Sequence, residues 1–111
     1  MYLSVERHKN NLLVELKGEL DHHTTENARQ KIDQQYTEQK LKNIVLDLRG
    51  LTFMDSSGIG LIMGRYKNCI EKGGIVVVVS DNSYVEKIFK MSGLQKIINV
   101  YPTIDLATES L

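Results

Sequence analysis

The chain has 111 residues, enough to bury one core, and is expected to form a single domain over 1–111. Its 14 acidic residues balance 14 basic ones without any block of like charge, so composition gives no electrostatic case for nucleic acid or an anionic membrane and leaves a protein as the default partner. The lone Cys69 excludes an internal disulfide and a CxxC pair. The longest apolar run, Ile75 to Val79, is far short of a membrane span, and Glu6 and Arg7 interrupt any signal-peptide core, so a cytoplasmic location is expected.

Leu3 and Val5, then Leu12, Val14 and Leu16, alternate with polar neighbours around Lys9-Asn10-Asn11, which predicts a hairpin with one wet face. Gly18 is expected to end the second strand, and a polar loop from Glu19 leads to a helix capped by Thr24 or Thr25. Ala28, Ile32 and Tyr36 give that helix a narrow apolar stripe. Ile44 to Leu48 and Ile75 to Val79 are β-branched-rich runs of the kind buried on both faces of a sheet. The stretch from Ser56 to Lys72 between them has the length of a crossover helix, so the two strands are expected to be parallel, with Gly73-Gly74 stopping the helix. Ser83 and Glu86 fit a capping box, Val85, Ile88 and Phe89 follow as an apolar face, and Gly93 ends that helix. A strand over Ile97 to Val100 and a short helix after Pro102 complete an α/β domain with a mixed sheet.

The segment Met54-Asp55-Ser56-Ser57-Gly58-Ile59-Gly60 lies where a strand gives way to the central helix. A helix start carries unpaired N–H groups and partial positive charge and so favours an anion. A serine there can cap, act as a nucleophile or accept a phosphate, and Asp55, Ser56 and Ser57 each suit the cap. At about 100° per residue, Ile59, Ile62, Met63, Tyr66, Cys69 and Ile70 share one side of this helix and are expected to be its core face. The opposite side carries Gly60, Leu61, Gly64, Arg65 and Asn68. Each interior glycine costs about 1 kcal/mol relative to alanine, so two of them four residues apart require a close approach, either by another element of the domain or by a partner.

A serine hydrolase elbow is absent, since Met54 stands where the first glycine belongs, and His8, His22 and His23 all precede the serine. A dinucleotide fingerprint is only shallowly matched by Gly58, Gly60 and Gly64. Arg49 to Asp55 separate the expected strand from the first glycine, and Asp55 sets a negative charge where a pyrophosphate would lie. No Gly-Lys-Ser/Thr triplet occurs for a Walker loop. His22-His23 beside Asp21 reads as a solvated loop rather than a metal site, and Cys69 reads as core packing. No metal or cofactor is expected, and the chain is not expected to be an enzyme.

Gly18-Glu19-Leu20-Asp21-His22-His23-Thr24, Phe53 to Gly60 followed by Gly64-Arg65-Tyr66-Lys67, and Met91-Ser92-Gly93-Leu94 together resemble the sporulation anti-sigma factor antagonists of the STAS family, in the same order across nearly the whole chain. The resemblance implies a four- or five-stranded mixed sheet with helices mainly on one side. It also implies partner switching. The unphosphorylated antagonist binds an anti-sigma factor that is itself a serine kinase and so frees a sigma factor; the kinase uses ATP to phosphorylate the first serine of the motif, here Ser56, and a serine phosphatase restores it. ATP or ADP is expected on the kinase and none on this chain, which is expected to be a monomer when free. Asp21, Asp55, Ser57, Gly58, Gly60, Leu61, Gly64 and Arg65 are the expected partner-binding residues, and the helix start is expected to hold the phosphate with its free N–H groups. The competing readings are a STAS-type regulatory module of a stress-response or other partner-switching pathway and a small nucleotide-binding protein.

Overall fold

The structure, a computed structural model, describes all 111 residues. Strands β1 (Tyr2–His8) and β2 (Asn11–Leu20) form the expected antiparallel hairpin, turning at Lys9 with φ 57°. Helix α1 (Thr25–Glu38), β3 (Asn43–Met54), α2 (Ser56–Glu71), β4 (Val76–Val79) and α3 (Ser83–Ser92) follow. A 3-10 turn (Leu94–Lys96), β5 (Val100–Tyr101) and α4 (Ile104–Glu109) complete the chain. The sheet is five-stranded in the order β1-β2-β3-β4-β5, parallel from β2 onward.

This order decides where the helices go. Parallel crossovers are almost always right-handed, and strands added successively in one direction place every crossover helix on the same face. Ala28, Ile32 and Tyr36 of α1, Ile62 and Cys69 of α2, and Val85 and Phe89 of α3 accordingly share one core of 22 buried residues with Leu12, Val14, Ile44, Leu46, Val76 and Val78. Only α4, which follows the last strand, packs on the other face, where Ala107 meets Val45, Val77 and Val79.

Several boundaries differ from the sequence expectation. Gly18 does not end β2; at φ 95° it accommodates a shift in the β2–β3 register, after which Leu20 returns to the core, fully buried, opposite Met54. Strand β3 likewise runs on to Met54, so no loop separates it from the glycine-containing helix start. Its far half is hard to read because Thr52 and Phe53 are exposed there while Leu51 and Met54 point inward. The cap of α3 is Asn82, whose Oδ1 accepts from Tyr84 N at 2.8 Å, and Ser83 is the first helical residue. The 3-10 turn delays β5 from Ile97 to Val100.

Candidate functional site

Leu20 pairs with Met54, so β2 and β3 leave the sheet side by side and Asp55 N donates to Leu20 O at 3.3 Å. The loop Asp21–Thr24 is therefore held next to the start of α2. Asp21 Oδ1 accepts from His23 N at 2.9 Å and Thr24 N at 3.2 Å, forming the turn that leads into α1. Partial desolvation pushes this carboxyl up, but those bonds, the Thr24 hydroxyl and the nearby His23 outweigh it and hold it below its ordinary range. Thr24 occupies the N-cap position of α1 without a side-chain capping bond, and the first helical N–H, that of Thr25, donates to the backbone O of Asp21 at 3.0 Å.

Asp55 caps α2. Its backbone is extended at φ −99° and ψ −169°, and its Oδ1 accepts from Ser57 N at 2.8 Å and Gly58 N at 3.3 Å. This resolves the choice among three capping candidates and leaves Ser56, the first residue of the helix, exposed with its hydroxyl free of any side-chain bond. It also narrows the expectation that a phosphate finds free N–H groups here, since those of Ser57 and Gly58 are already taken by the Asp55 carboxylate. Gly58 is required by its surroundings: a Cβ there meets Met54 Cγ at 2.4 Å and Leu20 O at 3.1 Å. The other oxygen of Asp55, Oδ2, lies 3.8 Å from His22 Nδ1. His22 was legible only as a solvated loop residue; the one signal that placed it here was its position within the motif that precedes Thr24.

The outer face assigned to α2 is corrected in part. Leu61 is 4% exposed and Arg65 6%, both against α1, whereas Ile70 of the expected core face is 49% exposed. Hydrophobic periodicity locates a stripe but not the helix that covers its flank, and α1 covers the flank carrying Leu61 and Arg65. Arg65 Nε stands 2.9 Å from Asp33 Oδ1, outside hydrogen-bond alignment, and its Nη1 is buried without a partner. Burial lowers the Arg65 pKa, opposed by the charge of Asp33. Gly60 and Gly64 do remain open: a Cβ on either meets nothing within 4 Å. They floor a groove of about 320 Å³ between α1 and α2, bordered by Thr25, Arg29, Ser57 and Arg65.

The alternative chemistries find no geometry. Neither His22 nor His23 hydrogen-bonds Ser56, and His22 turns Nδ1 to Asp55 instead. Cys69 is buried, which pushes its thiol up and away from reactivity. No group of three or more His, Cys, Asp or Glu side chains converges as a metal site, and no helix is long and apolar enough to cross a membrane.

The STAS domain family matches residues 2–107, nearly the full length that carries the sheet and its helices. The chain belongs to the STAS domain family. This STAS domain is 44% identical over 101 residues to the anti-sigma F factor antagonist of Paenibacillus polymyxa, an alignment covering 91% of this chain and 86% of that one. It is similar to the solved structure of the anti-sigma factor antagonist SpoIIAA in its unphosphorylated form, with a TM-score of 0.79 at 25% identity over 98% of this chain and 96% of the other. The Bacillus cell fate determinant SpoIIAA in the phosphorylated form matches with a TM-score of 0.78 at 29% identity, covering 98% of both chains. The five-stranded mixed sheet with helices mainly on one face is thus the STAS architecture.

Proposed function

We propose that this STAS domain is an anti-sigma factor antagonist that switches partners through phosphorylation of Ser56. Unphosphorylated, it binds a cytoplasmic anti-sigma factor that is a serine kinase and so releases a sporulation sigma factor. The kinase transfers the γ-phosphoryl group of its own ATP to Ser56. The Oγ–P bond forms, the bond to the β-phosphate breaks with release of ADP, and the hydroxyl proton leaves to solvent or base. A serine phosphatase reverses the modification. The observation that carries this reading is that Asp55 performs the capping, so the exposed Ser56 hydroxyl at the first position of α2 has no structural duty.

The physical basis of the switch is charge at a surface. Phosphate adds about −1.5 to −2 charges beside Asp55 and Asp21, whose loop lies alongside. A coupling of about 3 kcal/mol between phosphate and partner lowers affinity on the order of a hundredfold. The backbone need not move. Gly60 and Gly64 supply the remaining contact surface, because nothing inside the domain accounts for two glycines there.

The test is incubation with a candidate anti-sigma factor kinase and ATP, followed by mass mapping. Ser56→Ala is expected to abolish labelling and Ser57→Ala to leave it; undiminished labelling of Ser56→Ala moves the acceptor elsewhere.

A further inference from the structure

A phosphate on Ser56 needs compensating charge, and most of the groups that might supply it are occupied. Ser57 N and Gly58 N donate to Asp55 Oδ1. Arg29 is paired with Glu26 and Asp33, and Arg65 is buried against Asp33, both along the groove on the Ser57 side of the helix. Asp55, the residue before Ser56, has one imidazole within ion-pair distance, that of His22, with Nδ1 at 3.8 Å from Oδ2. His23 stacks on His22 with ring centroids 3.9 Å apart and a tilt of 40°, and its charge acts on Asp21. The loop that carries Asp21 and the stacked His22–His23 pair thus meets the cap of α2 through His22 and Asp55.

We infer that His22 and His23 are the counter-charge of phosphorylated Ser56, taking up a proton when the phosphate arrives and so making the phosphorylated domain responsive to pH near neutrality. The inference rests on Ser56 being the acceptor. Imidazole and the second ionisation of phosphoserine both lie close to neutrality, at about 6.5 and about 6, so a favourable contact between them shows in the titration of each. The other charged or titratable groups at this corner are Asp55 of α2, Glu19 and Asp21 at the end of β2, Glu26 in the first turn of α1, and Tyr84 of α3, whose hydroxyl accepts from Met54 N. A phosphate on Ser56 adds its negative charge to those of the acids among them. The His22 side chain is 69% exposed, which keeps the effect modest. One extra unit charge about 4 Å away in water multiplies a protonation constant about fivefold, roughly 1 kcal/mol.

The full chain carrying phosphoserine at position 56, installed during translation and therefore independent of any kinase, is compared with the unmodified chain by NMR titration between about pH 5 and 8.5. The imidazoles of His22 and His23 are expected to hold their protons to about fivefold lower proton concentration in the phosphorylated chain. In the phosphorylated His22→Gln, His23→Gln variant, the 31P signal is expected to show the second phosphate ionisation moved upward by about half a pH unit or more. Imidazole titrations identical in the two forms, or a 31P midpoint unchanged by the substitutions, overturn the inference. Kinase labelling at a residue other than Ser56 removes the acceptor assignment instead, so the two failures are distinct.

Discussion

A methyl group built on Gly60 or Gly64 meets no atom within 4 Å, while one built on Gly58 comes 2.4 Å from Met54 Cγ and 3.1 Å from Leu20 O. All three glycines lie in α2, so alanine gains helix propensity at each, about 1 kcal/mol for Gly60 and Gly64 in the helix interior and less for Gly58 in the first turn. For Gly60→Ala and Gly64→Ala nothing opposes that gain, and each is expected to raise the unfolding free energy by about 0.5–1 kcal/mol, or the melting temperature by about 4 °C per kcal/mol in a domain of this size. For Gly58→Ala the gain is offset by overpacking of about 1–3 kcal/mol, because the Leu20 carbonyl belongs to the sheet and cannot move aside as Met54 can. Urea unfolding followed by circular dichroism gives the three values, with unchanged slopes confirming that stability alone has moved. Calorimetric titration against a candidate anti-sigma factor supplies the second half. If a partner backbone occupies the groove, the Gly60→Ala, Gly64→Ala double variant binds at least about tenfold more weakly, a loss of about 1.4 kcal/mol, despite being the more stable protein. Destabilisation by either single substitution refutes the open-groove argument, and unchanged affinity refutes its assignment to a partner.

Leu61→Ala is expected to cost about 2–4 kcal/mol in urea unfolding, since Leu61 is buried in the main core; a loss below about 0.5 kcal/mol places it at the surface after all. Asp55→Ala removes the acceptor for Ser57 N and Gly58 N and is expected to cost about 1 kcal/mol, while Asp55→Asn retains most of that, as thermal unfolding of the pair will show. Asp47 is 5% exposed; burial pushes its carboxyl up, but Arg49, bonding it at 2.9 and 2.8 Å, holds it below its ordinary range. That contribution is present above the unfolded value of about 3.9 and is lost as pH falls through the lower folded value. Arg49→Met strands the buried carboxylate and is expected to cost about 1–2 kcal/mol at pH 7, discounted for an Arg49 side chain that is 39% exposed. Without its partner the carboxyl is raised by burial, so the gap between the two proteins should narrow by pH 3, and a gap independent of pH refutes the assignment.

The parts of this fold that were legible in the sequence are those governed by local chemistry. Val76 to Val79 is apolar on both faces because helices cover it on one side and α4 on the other. Gly73 and Gly93, with φ 77° and 84°, stop helices where the sequence placed the stops. What escaped depends on neighbours distant in sequence. Leu61 and Arg65 lie on the expected outer arc of α2, and only the position of α1 makes that arc interior. Asn82 and Ser83 are both good caps, and the choice of Asn82 is favoured by its second bond, from Nδ2 to Leu51 O at 2.8 Å. Likewise Asp55 and the serines after it are chemically interchangeable at a helix start until the placement of Leu20 O and His22 distinguishes them. The proposal of Ser56 as acceptor therefore rests on resemblance, whereas its freedom from capping is visible only in the geometry.

Strand β3 pairs with β4 only over Ile44 to Asp47, yet runs on to Met54 alongside β2. Its last seven residues thus belong to a two-stranded ribbon overhanging the sheet, and Ser56 is mounted on the tip of that ribbon. The edge that β4 leaves uncovered is closed at two points by side chains from the start of α3: Asn82 Nδ2 bonds Leu51 O, and Tyr84 Oη accepts from Met54 N at 3.2 Å. Local opening of the ribbon therefore requires release of these two clasps together with the Leu20, Leu51 and Met54 side chains that it contributes to the main core. The placement of Ser56 thus depends on a segment remote in sequence, because the start of α3 helps to hold the strand end on which α2 begins.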